Sequence, residues 1–362
     1  MKWRNWCTAV VSILIVLTGC TGPQEQETQG WIKGDQDITG PYDVVEGWMK
    51  PLPWHGDSLT FGLSQAVFPE TPDKIFVLQG GDYPNPPPPP VSGPRSNADH
   101  RPSHFLLVLN GDGELIESWT QWDHLMLRPH KVLINPYDPE RHVWVVDDWA
   151  SQIFKFTNDG SQLVMTMGER EVYASDQVHF NRPTDMAFLP DGTFFVSDGY
   201  VNTRVVKFNA DGEYLLEWGS PGTGPGQFNL VHSVKVDANR RVYVADRRNG
   251  RIQIFDENGT FLDMWEGMAQ PSHIVVAQDQ TVWMSDPTLN RLVQFNTDGM
   301  RLTYWGAAGS FPGAFDNPHH FDSDQDGNLY VADFANHRVQ KFVPRPGADR
   351  SRLALRGYVE AH

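Results

Sequence analysis

The chain has 362 residues, of which 40% are apolar and 12% aromatic, enough to bury a large core or to build one repeat-based domain. A formal charge of −16 provides no basic surface for neutralising phosphates and excludes nucleic acid as a partner.

At the N-terminus, Lys2 and Arg4 precede an apolar run from Cys7 to Leu17 that is too short to span a bilayer, the pattern of an export signal. Its end, Leu17-Thr18-Gly19-Cys20, resembles a bacterial lipobox, which implies cleavage before Cys20 and a lipid on its sulfur. Cleavage would remove Cys7, so no internal disulfide is expected even in an oxidising compartment. Residues 1–20 are thus expected to be a lipoprotein signal peptide, and the polar Gln/Glu/Gly-rich residues 21–40 a flexible tether. The expected location is the bacterial cell envelope, on its periplasmic or extracellular face, with membrane contact through the lipid anchor only.

Residues 41–343 repeat one unit: an apolar strand, a turn, a second strand ending in Asp, and a third strand ending in Phe. The Asp residues are Asp147, Asp198, Asp246, Asp286 and Asp333, followed by "SQIFKF", "TRVVKF", "GRIQIF", "NRLVQF" and "HRVQKF". Polar turns ("TNDG", "NADG", "DENG", "NTDG") and a fourth strand, as in "EYLLEWG", complete four of them. Four short antiparallel strands at a period of roughly 40 to 54 residues predict a propeller blade. A poorer copy upstream ("GLSQAVF", "KIFVLQ", "HFLLVLN", "LIESW") makes six, an all-β six-bladed propeller. The last unit stops at Phe342 without a fourth strand, whereas "YDVVEGW", Tyr42 to Trp48, stands as an unpaired fourth strand before the first. The N-terminal strand is therefore expected to close the ring by pairing in the last blade, removing the exposed edges. The recurring Asp and the Arg residues Arg204, Arg251, Arg291 and Arg338 read as structural, binding turn amides and linking strands.

The residue opening each first strand, taken in order, is Ser64, His130, Thr184, His232, Ser272 and His319. First strands line a propeller's channel, and six blades sit about 60° apart, so histidines on alternate blades converge on the axis from three sides. Three neutral imidazoles with an open fourth position suit zinc. A plain polar channel lining would not select alternate blades. His320 is expected to face away from the axis, because side chains alternate along a strand.

The spacing in "VADRRNGRIQIF" and "VADFANHRVQKF" resembles the NHL repeat. Together with "LRPHKVLI", "VSDGYVNTRVVKF", "GPGQFNLVHSV" and "NPHHFDSDQDGNLYVAD", the chain from Leu52 to Phe342 resembles the peptidyl-α-hydroxyglycine α-amidating lyase family. The resemblance implies zinc held by His130, His232 and His319, a catalytic tyrosine at Tyr200 and an active-site arginine at Arg247. It also implies a small-molecule or peptide substrate, a carbinolamide split into an amide and glyoxylate, and a monomer. The chain departs from the family in several places. A second arginine is replaced by Gly80, with Arg95 or Arg101 in the adjoining loop as possible substitutes, and the residue two before the third ligand is Asn317. The carboxylate that binds structural calcium is replaced by His320, so no calcium is expected there, and the family's disulfide cysteines are absent.

A second reading is a non-catalytic NHL propeller lipoprotein holding a protein or glycan partner on its rim, which has no need of alternating histidines. A calcium-dependent lactonase would want carboxylate and Asn ligands on the axis. The proline-rich insertion from Gly80 to Arg101 reads equally as a stiff rim and as a disordered loop, and the basic tail at 344–362 suggests no role.

Overall fold

The computed structural model describes residues 38–85 and 103–357. The signal-like segment with Cys20, the tether up to residue 37 and the insertion's centre with Arg95 and Arg101 lie outside the described residues, as do residues 358–362. The described part belongs to one compact unit, Asp35–His362.

Six four-stranded antiparallel sheets form the blades, with no α-helix among the described residues. Their innermost strands are Ser64–Thr71, Pro129–Ile134, Pro183–Phe188, Val231–Val236, Ile274–Val276 and Pro318–Ser323. The second strands ("VWVVD", "FFVSD", "VYVAD", "VWMSD", "LYVAD") are apolar on both faces and buried throughout, because each is sandwiched between neighbouring blades. Outer strands alternate instead, as Tyr214–Trp218 does, since one face meets water.

Blades lock to each other through the aromatic residue that ends a fourth strand. The turn glycines Gly160, Gly259 and Gly299 take positive φ. A Cβ there would lie 2.4, 2.8 and 2.4 Å from the rings of Trp119, Trp218 and Trp265, each belonging to the preceding blade. Trp305 covers Gly40 in the same way, and Met167 replaces the tryptophan against Gly212.

Tyr42–Val45 pairs antiparallel with Arg338–Pro344, Tyr42 opposite Pro344, and completes the sixth blade as the sequence suggests. The tail that follows is described up to residue 357. Asp349 caps a short turn at Arg350–Arg352, Leu353 and Ala354 are buried, and the Ala354 amide donates to the Tyr42 hydroxyl at 2.9 Å. Replacing Tyr42 by Ala removes a fully buried ring and this hydrogen bond, and should cost about 3–5 kcal/mol of stability. Thermal denaturation checks this: a variant melting with the wild type would show that the N-terminal strand does not hold the ring closed.

Candidate metal centre

Five of the six second strands end in a buried Asp whose carboxylate turns back to the loop entering the same blade, and in blade 1 the Gln79 carboxamide takes that place, accepting the Gly62 amide at 2.8 Å. Asp147 accepts the amides of Leu127 and Arg128, Asp198 that of Asn181, Asp246 that of Asn229 and Asp333 that of Asp316. Arg204, Arg251 and Arg338 pair with three of these carboxylates at 2.9, 2.6 and 3.0 Å. Just beyond the anchored loop, the ladder slips by one residue, between Pro129 and Lys131, Pro183 and Asp185, Val231 and Ser233, and Pro318 and His320. The residue inside the slip is a β-bulge and points at the axis.

In blades 2, 4 and 6 that residue is His130, His232 or His319. All three are buried, their ring centroids lie 4.8 to 5.1 Å apart, and their ligating nitrogens fall within 4.8 Å of one another. Each Nδ1 meets a backbone carbonyl of the next blade round: His130 that of Thr184 at 2.7 Å, His232 that of Ser272 at 3.0 Å and His319 that of Gln65 at 2.8 Å. A carbonyl can only accept, so Nδ1 carries the proton and each Nε2 keeps its lone pair. Burial holds all three imidazoles well below the usual histidine range, aided by Arg128 at His130, Arg247 at His232 and His130 at His319. Three neutral, oriented nitrogen donors fit zinc.

Tyr200 closes the fourth side. Its hydroxyl lies 3.1 Å from Nε2 of both His130 and His232. Burial pushes the phenol up, while Arg128, Arg247 and Arg182 pull it down. Arg247 is held by its amide to the Leu230 carbonyl and reaches the Tyr200 side chain. The structure thus brings together His130, His232, His319, Tyr200 and Arg247.

Two expectations about the axis need correction. His320 does not face away: its ring centroid is 4.4 Å from that of His319 and 5.1 Å from that of His130. The bulge at His319 breaks the alternation, so two consecutive side chains turn inward. The blade 1 counterpart is Gln65, which sits inside the slip between Ser64 and Ala66, and not Ser64, because this blade ends its second strand in Gln79 and lacks the Asp that marks the position in the others. His320 donates through Nδ1 to the Gln65 carbonyl at 2.7 Å and lies beneath the tripod.

Arg128, Arg182 and Asp148 escaped the sequence reading. The guanidinium carbons of Arg182 and Arg128 stand 4.6 and 5.3 Å from the Tyr200 ring centroid, and both arginines chelate the fully buried Asp148. Their signal is positional, an Arg-Pro pair directly before the axial residue in two adjacent blades. Gly80 follows the second strand of blade 1 beneath the Tyr83 hydroxyl and supplies no cation.

A six-bladed propeller with an axial tripod of histidines is the class of protein defined by this fold and site. The NHL repeat family matches residues 228–255 and 315–342, blades 4 and 6. Peptidyl-glycine α-amidating monooxygenase A of Xenopus laevis is 30% identical over 268 residues, 69% of this chain and 28% of the relative. Peptidyl-α-hydroxyglycine α-amidating lyase 1 of Drosophila melanogaster is 30% identical over 273 residues, 68% of this chain and 49% of the relative. NHL repeat-containing protein 3 of Homo sapiens is 28% identical over 255 residues, covering 66% and 72% of the two chains. The chain spans between 25 and 30% of the length of the amidating monooxygenases it matches. Among solved structures, virginiamycin B lyase of Staphylococcus aureus superposes with a TM-score of 0.50 at 12% identity over 85% of this chain and 90% of its own, which establishes the fold alone. The chain is an NHL-repeat six-bladed propeller resembling the peptidyl-α-hydroxyglycine α-amidating lyase family.

Metal analysis after dialysis against buffered zinc should find about one zinc per chain. His232→Ala should weaken binding at least about 100-fold, and His320→Gln should retain the metal. Zinc retained by the folded His232 variant would refute the tripod.

Proposed function

We propose that the chain is a zinc-dependent lyase that cleaves the C–N bond of a carbinolamide, such as a peptide ending in α-hydroxyglycine, into an amide and glyoxylate. The observation that carries this reading is the Tyr200 hydroxyl poised over the tripod, 3.1 Å from two of its nitrogens, with Arg247 beside it. The similarity to the Drosophila amidating lyase supports the reaction class.

Zinc at His130, His232 and His319 would supply a Lewis acid that acidifies a bound hydroxyl. Tyr200 Oη accepts the proton from the carbinol oxygen and returns it to the amide nitrogen as the C–N bond breaks and the C=O bond forms. Burial raises the Tyr200 phenol, and Arg128, Arg247 and Arg182 oppose that rise and so lower the cost of the phenolate that accepts this proton. Asp148 already engages Arg128 and Arg182, whereas Arg247 makes no ion pair among the described residues. Arg247 therefore takes the substrate carboxylate, the group a guanidinium fork grips best. On this reading the enzyme acts as a monomer in the bacterial envelope, tethered through lipidated Cys20.

Zinc-loaded protein incubated with α-hydroxyhippurate should release benzamide and glyoxylate in equal amounts. Tyr200→Phe should keep zinc and lose about 10²–10⁴-fold in kcat. Arg247→Ala should raise KM more than it lowers kcat. Absence of glyoxylate from zinc-loaded wild type would leave the rim-binding propeller as the better account.

A further inference from the structure

Below the tripod the channel is layered by the two-residue period of the inner strands. The next layer contains Lys131, Asp185, Ser233, His273 and His320, and the layer beyond it Phe68, Leu133, Ala187, Lys235, Val275 and Asp322. This third layer surrounds a cavity of about 190 Å³, with Lys131 and His273 at its inner end and Arg356 of the tail at its mouth, on the side of the propeller away from Tyr200.

The charges here can be paired off. The Lys235 ammonium spends all three donors, on Asp185 at 2.5 Å and on the carbonyls of Met186 and Val234. Arg356 pairs with Asp322 at 2.9 Å, donates to the Pro69 carbonyl and lies over the Phe68 ring at 4.1 Å. Asp185 also accepts from Ser233 at 2.6 Å. Lys131 is left over. It is 2% exposed, and its ammonium makes one hydrogen bond, to the neutral His273 ring at 3.2 Å. A buried ammonium with two unused donors, facing a cavity with phenyl and aliphatic walls, has half of a ligand's chemistry in place.

We infer that this cavity is a second binding site, for a small organic anion with a short apolar tail, whose carboxylate seats against the Lys131 ammonium while its tail lies against Phe68, Leu133 and Val275. The site stands independently of the lyase reading.

Propionate tests it, with isosteric propionamide as the neutral control, titrated calorimetrically into the zinc-loaded full chain. One propionate should bind per chain, and propionamide at least tenfold more weakly. Lys131→Met and the cavity-filling Ala187→Phe should each weaken propionate at least tenfold, and His232→Ala should keep it. Equal binding of propionate and propionamide, or no saturable binding of either to wild type, would overturn the proposal without recourse to any variant. Loss of propionate in His232→Ala would also overturn it, because the anion would then be on the tripod metal.

Discussion

The metal centre depends on a carboxylate that never touches it. The Asp closing the second strands of blades 2, 3, 4 and 6 accepts amides from the incoming loop, and that grip fixes the chain where the first strand slips by one residue. Burial opposes ionisation and raises Asp147 and Asp333 to about 6, so the amides and guanidiniums around them offset a real desolvation cost. The slip then turns a side chain toward the axis at one depth in blade after blade. In blade 1 a carboxamide holds the place: Gln79 Oε1 accepts the Gly62 amide at 2.8 Å, and the ladder slips there too, between Ser64 and Ala66.

The blade count, the ring closure at Tyr42 and the alternating histidines were legible in the sequence because each rests on a repeated pattern of residue types. The phase at the head of the strand was not. Alternation along a strand assumes an unbroken ladder, and a bulge depends on the hydrogen bonds of a loop rather than on the residue it displaces, so His320 turned inward against expectation; in blade 1 Ser64 stood in for Gln65 because Gln79 replaces the Asp that marks the phase elsewhere. Arg128 and Arg182 look like surface cations in the sequence. Only the buried Asp148 between them shows why they lie against Tyr200. The tail gave no signal because Leu353 and Ala354 are buried by contacts with distant segments.

The channel is electrostatically stratified. Neutral imidazoles lie uppermost, and beneath them Lys131 stands where burial lowers its ammonium to about 7, despite the pull of Asp185. Asp185 is held well below the usual carboxylate range by Lys235 and Lys131, against its own burial. In its charged form this ammonium beneath the tripod raises the potential there and favours anionic over cationic occupants in the adjoining space. Lys131 and His320 share the level directly under the tripod with Asp185, whose carboxylate is engaged by Lys235 and Ser233.

Each histidine rests its Nδ1 proton on a carbonyl of the following blade, at Thr184, Ser272 or Gln65. Ligand and support therefore alternate around the ring, and such an arrangement has a parity. A ring of five or seven units would force two ligands, or two supports, to stand side by side. An open solenoid can gain or lose one repeat at a time; this ring could change size without frustrating its centre only by whole pairs of blades.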